Sequence, residues 1–487
     1  MTSDIIHTRN QGLWLELEAS IRRGARLCTH SGQVGPGDVF VALPGLSHDG
    51  SVHIPKAVQQ GAAWVVHPSG VHPQCSQPGV RFVSVSNIHA ALGRLAGIMY
   101  GTDQARPLLV GVTGTNGKTT VTYMLEHILK AAGKRTGVLG TISYRWPGQE
   151  QEAALTTPGC LDLHAMLAKM AQAGVEVACM EVSSHALSQH RLAGLEFDLA
   201  VFTNLSQDHL DYHQDMDSYF QVKAGLFQGP RVRSVLNIDD AYGRELLAVG
   251  RPGRCFTTCG RSVRGWPCVQ GKVEAMSRQG QVLCLRQEEQ TWGLRCSLVG
   301  RHNASNLMAA QAAGLELGLD HRAFASLQSL NGPPGRLQRI ENSQGLHVFV
   351  DYAHTPDALD NVLTAVADLD FERIIVVFGC GGDRDPGKRP LMGQAVARHA
   401  HLAVLTSDNP RHEDPEAIMD AVMPGLQGGV QVIREVNRRR AIALALQEMG
   451  PLDALIIAGK GHEGTQQIGD RKVLLKDAQV VREWFGQ

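Results

Sequence analysis

A glycine-rich loop at residues 111–120 carries the clearest chemistry in the sequence. The loop contains Gly114 and Gly117, and Lys118 and Thr119 directly follow Gly117. Glycines let backbone N–H groups approach phosphate oxygens, while the lysine can reach the terminal phosphates and the threonine hydroxyl can ligate Mg²⁺. The loop therefore predicts a binding site for the phosphates of a nucleotide.

The sequence around this loop has the order that a phosphate site needs. An apolar run at residues 107–110 predicts a buried strand, and residues 121–132 repeat apolar positions at helical spacing. Five residues separate Gly111 from Gly117, whereas the standard Walker pattern has four. The alternative, a tight turn that only joins a strand to a helix, gives no reason for the lysine and the threonines.

Polar side chains also follow two predicted strands, at residues 175–182 and 199–204. Glu181 lies at the end of the first, and His209 follows the second. Ligands of doubly wound sheets bind at the carboxyl ends of the strands, and carboxylates there can hold Mg²⁺. The alternative is that such residues cap helices and hydrogen-bond loops, which we expect for Asp211 and His213 more than for Glu181 and His209.

Four further strands are predicted in the last third of the chain, at residues 346–350, 374–378, 402–405 and 454–457. Mixed arginines and acids follow three of them, at residues 381–385, 407–411 and 459–463. An arginine can hold a carboxylate in a bidentate pair while acids receive an ammonium group, so this mixture suits an amino acid. A network of salt bridges that stiffens the loops is the alternative.

Length and composition set the class of protein. The 487 residues are enough for several domains, and 43% hydrophobic with 19% charged residues is ordinary for a globular enzyme. A net charge of −1 argues against a nucleic-acid partner, and no apolar run is long enough for a membrane span. We read the ten cysteines as reduced thiols and, with no secretory signal visible, expect a cytoplasmic protein.

The pattern of elements predicts an α/β protein of three domains. These are a small N-terminal α/β domain at residues 1–103, a central doubly wound domain with the phosphate loop at 104–336, and a C-terminal Rossmann-like α/β domain at 337–487. Residues 254–298 read as an excursion from the central domain. Position alone makes Lys223 a lysine that reaches solvent, and Asn303 or Asn306 an N-cap of the next helix.

Taken together, four segments resemble the motifs of the Mur ligase family. They are the shifted phosphate loop and residues 180–185, 204–213 and 351–356, and the resemblance extends from about residue 31 to residue 463. The resemblance implies an ATP-dependent ligase of peptidoglycan precursor synthesis that works through an acyl phosphate. ATP would be the cosubstrate and Mg²⁺ the cofactor, and we expect a monomer.

The resemblance also implies the other substrates. The nucleotide sugar would be UDP-N-acetylmuramoyl-L-Ala-D-Glu, and Asp408 to Arg411 match the motif associated with meso-diaminopimelate rather than lysine. Arg411 decides between these two amino acids, because only diaminopimelate carries a distal carboxylate. Three alternatives stay open: a lysine-adding homologue, a ligase like folylpolyglutamate synthetase, and a nucleotide-binding regulator without ligase activity.

Roles for single residues follow from the same resemblance. Lys118, His209 and a carbamylated Lys223 would be catalytic, and Thr119, Glu181, His209 and Lys223 would serve the magnesium ions. ATP would meet Gly114, Thr115, Asn116, Gly117, Lys118, Thr119, Thr120, Asn306, Arg336 and Asp351. The UDP-muramoyl dipeptide would meet Ser31, Gly45, Leu46, Ser47, Thr156, Thr157, Ser183, Gln189 and Arg191. Diaminopimelate would meet Arg384, Asp408, Asn409, Pro410, Arg411, Gly459 and Glu463.

Two residues depart from the family pattern. Gly32 stands where the family usually has an arginine after the serine, and Leu155 stands where an asparagine often precedes the two threonines. Both departures concern contacts to the uridine and the muramoyl group rather than the reaction.

Overall fold

The computed structural model describes residues 11–45, 49–71, 77–208 and 210–486, and for residues 210 and 211 the backbone alone. Three separate β-sheets, each associated with helices, account for most of this chain. The α/β class predicted from the sequence is confirmed.

The first sheet has four parallel strands in the order β1-β2-β3-β4. Its strands are β1 (Leu27–Cys28), β2 (Val39–Val41), β3 (Trp64–Pro68) and β4 (Arg81–Val85), and its helices are α1 (Gln11–Arg22), α2 (Ile54–Gln59) and α3 (Ile88–Tyr100). Asn87 caps α3 by accepting a hydrogen bond from the Ala90 N–H, and Gly101 ends the helix with a φ of 73°. Both ends match the predicted helix because the capping residue and the terminal glycine are visible in the sequence.

The second sheet has eleven strands in the order β15-β14-β13-β12-β11-β10-β5-β9-β6-β7-β8. Its strands are β5 (Leu108–Thr113), β6 (Thr136–Leu139), β7 (Ser143–Trp146), β8 (Gln149–Glu152), β9 (Val177–Glu181), β10 (Leu199–Phe202), β11 (Arg233–Asn237), β12 (Arg251–Thr257), β13 (Cys268–Ser277), β14 (Gly280–Gln287) and β15 (Gln290–Cys296). Its helices are α4 (Lys118–Ala131), α5 (Cys160–Gln172), α6 (Ser184–Ser188), α7 (Leu210–His213), α8 (Met216–Ala224), α9 (Ala241–Glu245) and α10 (Arg301–Glu316).

Strand β5, which leads into the phosphate loop, is buried on both faces. Val110 and Val112 pack into the cluster that contains helices α4 and α10, whereas Leu109 packs into the cluster on the opposite face. A parallel strand covered on both faces reads as a continuous apolar run, which is why this strand was predictable.

The interpretation of residues 254–298 as an excursion from the central domain is wrong. Strands β12 to β15 extend the central sheet itself, because β12 pairs in parallel with β11 and β13 pairs with β12. Leu283 and Leu294 are buried in the cluster that also contains Leu307 of α10. Alternation of apolar and polar residues, typical of half-buried strands, made this segment look detached.

The third sheet has six strands in the order β16-β17-β21-β18-β19-β20. Its strands are β16 (Gln338–Ile340), β17 (His347–Val350), β18 (Ile374–Phe378), β19 (Leu402–Leu405), β20 (Gln431–Arg434) and β21 (Ala454–Ile457). A separate hairpin follows, of β22 (Thr465–Ile468) and β23 (Arg471–Leu474). The helices are α11 (Pro356–Ala367), α12 (Lys388–His399), α13 (Pro415–Val422), α14 (Arg438–Gln447) and α15 (Asp477–Trp484). Apart from the edge strand β16, neighbouring strands of this sheet run parallel, so their carboxyl ends meet at one edge.

Two global features complete the fold. The described cysteines are all free thiols, in agreement with the prediction. A helix long and apolar enough to cross a membrane is absent from the described part of the chain.

Candidate functional site

The phosphate loop lies between β5 and α4, at the carboxyl edge of the central sheet. Gly114 has a φ of 149° and Gly117 a φ of 87°, a region that side chains rarely adopt. A Cβ at Gly114 would also collide with the Thr203 hydroxyl, and one at Gly117 with the Asn306 carboxamide oxygen. The fold therefore requires glycine at both positions, and Asn306 lies directly against the loop.

Lys118 folds back over the loop that precedes it. Its ammonium group donates hydrogen bonds to the carbonyl oxygens of Gly114 at 2.9 Å and Thr115 at 2.8 Å. The side chain is partly exposed along its length, but burial of the ammonium lowers the pKa of Lys118, with Glu181 opposing the shift. The lysine is thus held at the phosphate loop by backbone carbonyls.

Lys223 approaches the same loop from α8. It is 1% exposed, and its ammonium donates to the Gly114 carbonyl at 3.0 Å. The nitrogen also lies 4.8 Å from the centre of the Tyr219 ring. Burial, together with the nearby charge of Lys118, lowers the pKa of Lys223 far below its usual value. The interpretation of Lys223 as a lysine that reaches solvent is therefore wrong, because α8 turns this face toward the loop.

Glu181 ends β9 beside the loop and is 1% exposed. Its carboxylate accepts hydrogen bonds from the Thr119 hydroxyl at 2.8 Å and from the backbone N–H of Thr141 at 2.8 Å. The Thr141 hydroxyl, 3.0 Å from the carboxylate, lies 3.1 Å from the Thr156 hydroxyl. Hydroxyl and carboxylate oxygens are the hard donors that Mg²⁺ prefers, so Thr119 and Glu181 fit such an ion.

Thr141 was missed by the sequence analysis. It follows β6, a strand of four residues too short to be recognised by its pattern. The predicted metal residue His209 lies outside the described residues. Among the described residues, no group of three or more His, Cys, Asp or Glu side chains could hold a metal ion.

A second network extends from Glu181 along the same edge of the sheet. The Thr157 hydroxyl donates to the Glu181 backbone carbonyl at 2.8 Å and accepts from the Ser183 N–H at 3.1 Å. Arg191 donates to the Thr157 carbonyl at 2.9 Å and to the Gln189 side-chain oxygen at 2.7 Å. The structure thus brings together Thr156, Thr157, Ser183, Gln189 and Arg191, all predicted for one ligand.

The predicted residues of the N-terminal sheet lie apart from that network. Ser31 begins a short 3₁₀ helix after β1, and Gly45 follows Pro44, which forms an isolated bridge with Asp49. Leu46 and Ser47 lie outside the described residues. The two regions meet where Gly93 of α3 approaches Gly194 so closely that a side chain at either position would collide with backbone.

Arg336 and Asp351 lie together at the start of the third sheet. Asp351 is 5% exposed, and its carboxylate accepts hydrogen bonds from the N–H groups of Leu337 at 2.5 Å and Ala353 at 2.7 Å. Burial raises the pKa of Asp351, and the charge of Arg336 opposes that shift. The Arg336 guanidinium lies 5.0 Å from the centre of the Tyr352 ring. Its charge also contributes to the lowered pKa of Lys118, after the larger effect of burial.

The polar residues at the ends of β19 and β21 form one compact cluster. Asn409 donates to the Glu463 carboxylate at 2.9 Å, and Lys460 donates to the same carboxylate at 2.8 Å and to the Asn409 side-chain oxygen at 3.1 Å. The Lys460 side chain is fully buried. Gly459, with a φ of 111°, lies so close to the Asp408 carboxylate that a Cβ there would come within 2.6 Å of it. Lys460 was not predicted, although it belongs to the predicted segment at residues 459–463.

Arg411 adopts a left-handed conformation with a φ of 50°. One N–H of its guanidinium donates to the Gly382 carbonyl at 2.6 Å, and Gly382 in turn packs against Pro410. Arg384, also predicted, is an exposed residue of the same loop. The guanidinium of Arg411 has five N–H donors, so those that do not contact Gly382 can bind a carboxylate. All seven residues predicted for the amino acid thus lie at one edge of the third sheet.

Asn306 does not cap its helix. The N-cap of α10 is Gly300, and the Asn306 side chain donates to the Asn303 oxygen at 3.2 Å inside the helix. The N-cap interpretation is therefore wrong for Asn303 and for Asn306. The Asn306 side chain lies against Gly117 of the phosphate loop, and its contact to a nucleotide stays a prediction.

Family models match three parts of the chain. The model described as Mur ligase family, catalytic domain, matches residues 26–100; the Mur ligase middle domain matches residues 112–314; and the Mur ligase, glutamate ligase domain, matches residues 335–461.

Two curated relatives match nearly the whole chain, and both are named UDP-N-acetylmuramoyl-L-alanyl-D-glutamate–2,6-diaminopimelate ligase. The protein from Lawsonia intracellularis is 50% identical over 463 residues, which are 94% of this chain and 96% of the relative. The protein from Gloeobacter violaceus is 44% identical over 464 residues, covering 94% of this chain and 93% of the relative.

Two solved structures resemble this chain over most of its length. A structure of a UDP-N-acetylmuramoyl-L-alanyl-D-glutamate–2,6-diaminopimelate ligase is 31% identical with a TM-score of 0.70, covering 95% of this chain and 94% of the other. The folylpolyglutamate synthase of Mycobacterium tuberculosis, solved with ADP, is 23% identical with a TM-score of 0.60 over 82% of this chain and 95% of the other. This second likeness is one of fold alone.

Proposed function

We infer the function from one premise: the chain belongs to the Mur ligase family. It is an ATP-dependent enzyme that forms a C–N bond between an acid and an amino acid. We propose that it joins meso-2,6-diaminopimelate to the γ-carboxylate of D-glutamate in UDP-N-acetylmuramoyl-L-Ala-D-Glu, in the synthesis of a peptidoglycan precursor. The observation that carries this proposal is 50% identity, over 94% of the chain, to a relative named for that reaction.

The first half-reaction takes place at the phosphate loop. The D-glutamate carboxylate attacks the γ-phosphorus of ATP, and the bond between that phosphorus and the bridging oxygen breaks. ADP departs, and the carboxylate has become an acyl phosphate. Lys118 and the loop N–H groups stabilise the charge that develops on the transferred phosphoryl group. The position of the Lys118 ammonium over Gly114 and Thr115 supports this role.

Mg²⁺ would be held by Thr119, Glu181, His209 and a carbamylated Lys223, and when bound it neutralises charge on the phosphate oxygens. Carbamylation joins the lysine nitrogen to CO₂ and releases a proton, and it requires the neutral amine. The lowered pKa of Lys223, caused by burial and by Lys118, favours that neutral form. The product is an anion, which also removes the repulsion between the two lysines.

The second half-reaction uses the amino acid. The amine attacks the acyl carbon, and the tetrahedral intermediate expels phosphate to leave an amide. Arg411 holds the distal carboxylate of diaminopimelate, while Asp408, Asn409 and Glu463 bind its polar groups. The compact cluster that these residues form supports the assignment. Closure of the domains would bring this site to the phosphate loop.

The UDP-muramoyl dipeptide would lie between the N-terminal sheet and the network of Thr157, Ser183, Gln189 and Arg191. Adenosine would lie between Asn306 and Asp351. The domain boundaries at residues 103 and 336, the monomeric state and the cytoplasmic location stay predictions.

Release of ADP and phosphate tests the proposed function. It should require both the UDP-muramoyl dipeptide and diaminopimelate, because phosphoryl transfer needs a carboxylate and turnover needs an amine. Release of phosphate that ignores both substrates would contradict a ligase and favour a nucleotide-binding regulator.

A further inference from the structure

The hairpin β22–β23 holds the strand end that carries Asp408, Asn409 and Arg411. Its residue Gln466 lies outside every motif used above, yet its side-chain amide nitrogen donates to the Asp408 backbone carbonyl at 2.6 Å. The same nitrogen lies 3.3 Å from the Ser407 carbonyl. Gln466 thus ties the hairpin to the backbone beneath the proposed amino-acid site.

The hairpin backbone orients Asn409 in the same way. The Gln467 N–H donates to the Asn409 side-chain oxygen at 2.9 Å, and Lys460 donates to that oxygen from the other side. The Asn409 amide nitrogen is thereby directed to Glu463, to which it donates at 2.9 Å. The position of the hairpin therefore decides which way this carboxamide points.

Arg411 is held by the hairpin on both sides of its peptide unit. The Arg411 N–H donates to the Gln467 carbonyl at 3.1 Å, and the Gly469 N–H donates to the Arg411 carbonyl at 2.6 Å. A residue other than glycine in a left-handed conformation persists only where its surroundings fix it. These two bonds supply that constraint.

We propose that Gln466 is a positioning residue for the amino-acid substrate, a diamino dicarboxylic acid. Through its bonds to the Ser407 and Asp408 carbonyls it fixes the hairpin, and the hairpin sets the orientation of Asn409 and Arg411. This inference rests on the proposed function, because it assumes that Asn409 and Arg411 bind the amino acid.

The test compares Gln466→Leu with Gln479→Leu. Leucine at 466 keeps the bulk of the side chain and removes the amide donor. Gln479 is the matched control, because it is an exposed glutamine of α15 whose side-chain amide donates only to Glu483 of the same helix among the described contacts. Steady-state KM is measured separately for diaminopimelate, ATP and the UDP-muramoyl dipeptide.

In Gln466→Leu we expect KM for diaminopimelate to rise about tenfold, because the amide donor that fixes the hairpin is lost and Asn409 and Arg411 are no longer held in place. Acyl phosphate formation does not involve the amino-acid site. Trapping with hydroxylamine, which attacks the acyl phosphate and releases phosphate to leave a hydroxamate, should therefore proceed at the wild-type rate. The control should keep all three KM values.

An unchanged KM for diaminopimelate in Gln466→Leu, or an equal rise in all three KM values, would overturn the inference. If that variant does not fold, Gln466→Glu carries the same test, because its carboxylate would face two carbonyl oxygens. If neither Gln466→Leu nor Gln466→Glu forms hydroxamate, Gln466 is needed for folding rather than for the amino-acid site, and the inference is likewise overturned. Wild-type protein without any diaminopimelate-dependent ADP release would instead contradict the proposed function.

Discussion

Lys118 and Lys223 place two ammonium groups against one carbonyl oxygen, that of Gly114, at 2.9 Å and 3.0 Å. Burial lowers the pKa of both lysines. The nearby positive charge of Lys118 lowers the pKa of Lys223 further. The surroundings of Lys223 therefore favour its neutral form over its charged form.

Substitution of Lys223 by alanine should reduce kcat about 100-fold or more, because the variant lacks the group that carbamylation would convert into a metal ligand. A short carboxylate such as acetate or formate, added to the assay, should restore part of the activity by occupying the vacated space. Lys130→Ala is the matched control, since Lys130 is an exposed lysine at the far end of α4. Full activity of Lys223→Ala without added carboxylate would rule out this role.

Arg411→Ala should raise KM for diaminopimelate by about 10- to 100-fold, because a charge-assisted pair with the distal carboxylate is lost. The KM values for ATP and the UDP-muramoyl dipeptide should stay near those of the wild type. Arg398→Ala is a suitable control, since Arg398 forms an exposed ion pair with Asp360. An Arg411→Ala enzyme with unchanged KM for diaminopimelate would disprove this assignment.

At the scale of elements, the phosphate loop depends on the junction between β5 and α4. Gly117→Ala should abolish ADP binding measured by calorimetry, because the Cβ would be strained at a φ of 87° and would displace Asn306. Gly133→Ala separates these two effects, since Gly133 ends the same helix with a φ of 76° and open space around it. The control should lose about 1 kcal/mol of stability and keep ADP binding. Equal ADP binding by both variants would contradict the proposed geometry.

Strands β12 to β15 are part of the central core, so their apolar residues should matter for stability. Leu283 is fully buried in the cluster that contains α10, and Leu283→Ala should lower the free energy of unfolding by about 2–4 kcal/mol. Leu474→Ala serves as the control, because Leu474 is 83% exposed on the hairpin. Thermal and denaturant unfolding measure both. A Leu283→Ala protein as stable as the control would indicate that these strands unfold independently.

At the scale of the whole molecule, the central and third sheets are joined by apolar as well as polar contacts. Val299 and Met276 pack against the apolar cluster of the third sheet. Arg278, between β13 and β14, lies 5.4 Å from the centre of the Phe371 ring, and its carbonyl accepts a hydrogen bond from Arg339. The domain closure that we propose would have to shift these contacts.

Sequence reasoning recovered the elements that are long or continuously apolar. Strands β5, β18, β19 and β21 and helix α3 fell within a few residues of their observed bounds, because burial on both faces or clear caps mark them. The edge strand β8 was missed, since Gln149–Glu152 has no apolar residue. The hairpin β22–β23, and with it Gln466, was missed for a related reason: its contacts are polar and join residues far apart in the chain.

The site shows the same division. Glycines, Lys118 and the residues at strand ends were visible because each belongs to a local pattern. Burial of Lys223 was not, since it depends on how α8 packs under the phosphate loop. Lys460 lies in a predicted segment, but its contacts were not visible, because Asn409 comes near Lys460 and Glu463 only when β19 and β21 flank β18 in one sheet.

The proposed function depends on which amino acid the enzyme joins to the dipeptide, and a competition assay tests this choice most directly. Purified protein is incubated with ATP, UDP-N-acetylmuramoyl-L-Ala-D-Glu and equal amounts of meso-diaminopimelate and lysine, and the masses of the products are measured by mass spectrometry. We predict one new UDP-linked product whose mass corresponds to the dipeptide plus diaminopimelate minus water, formed together with one ADP per amide. A product that carries lysine instead, or ADP release without any amide, would contradict the account.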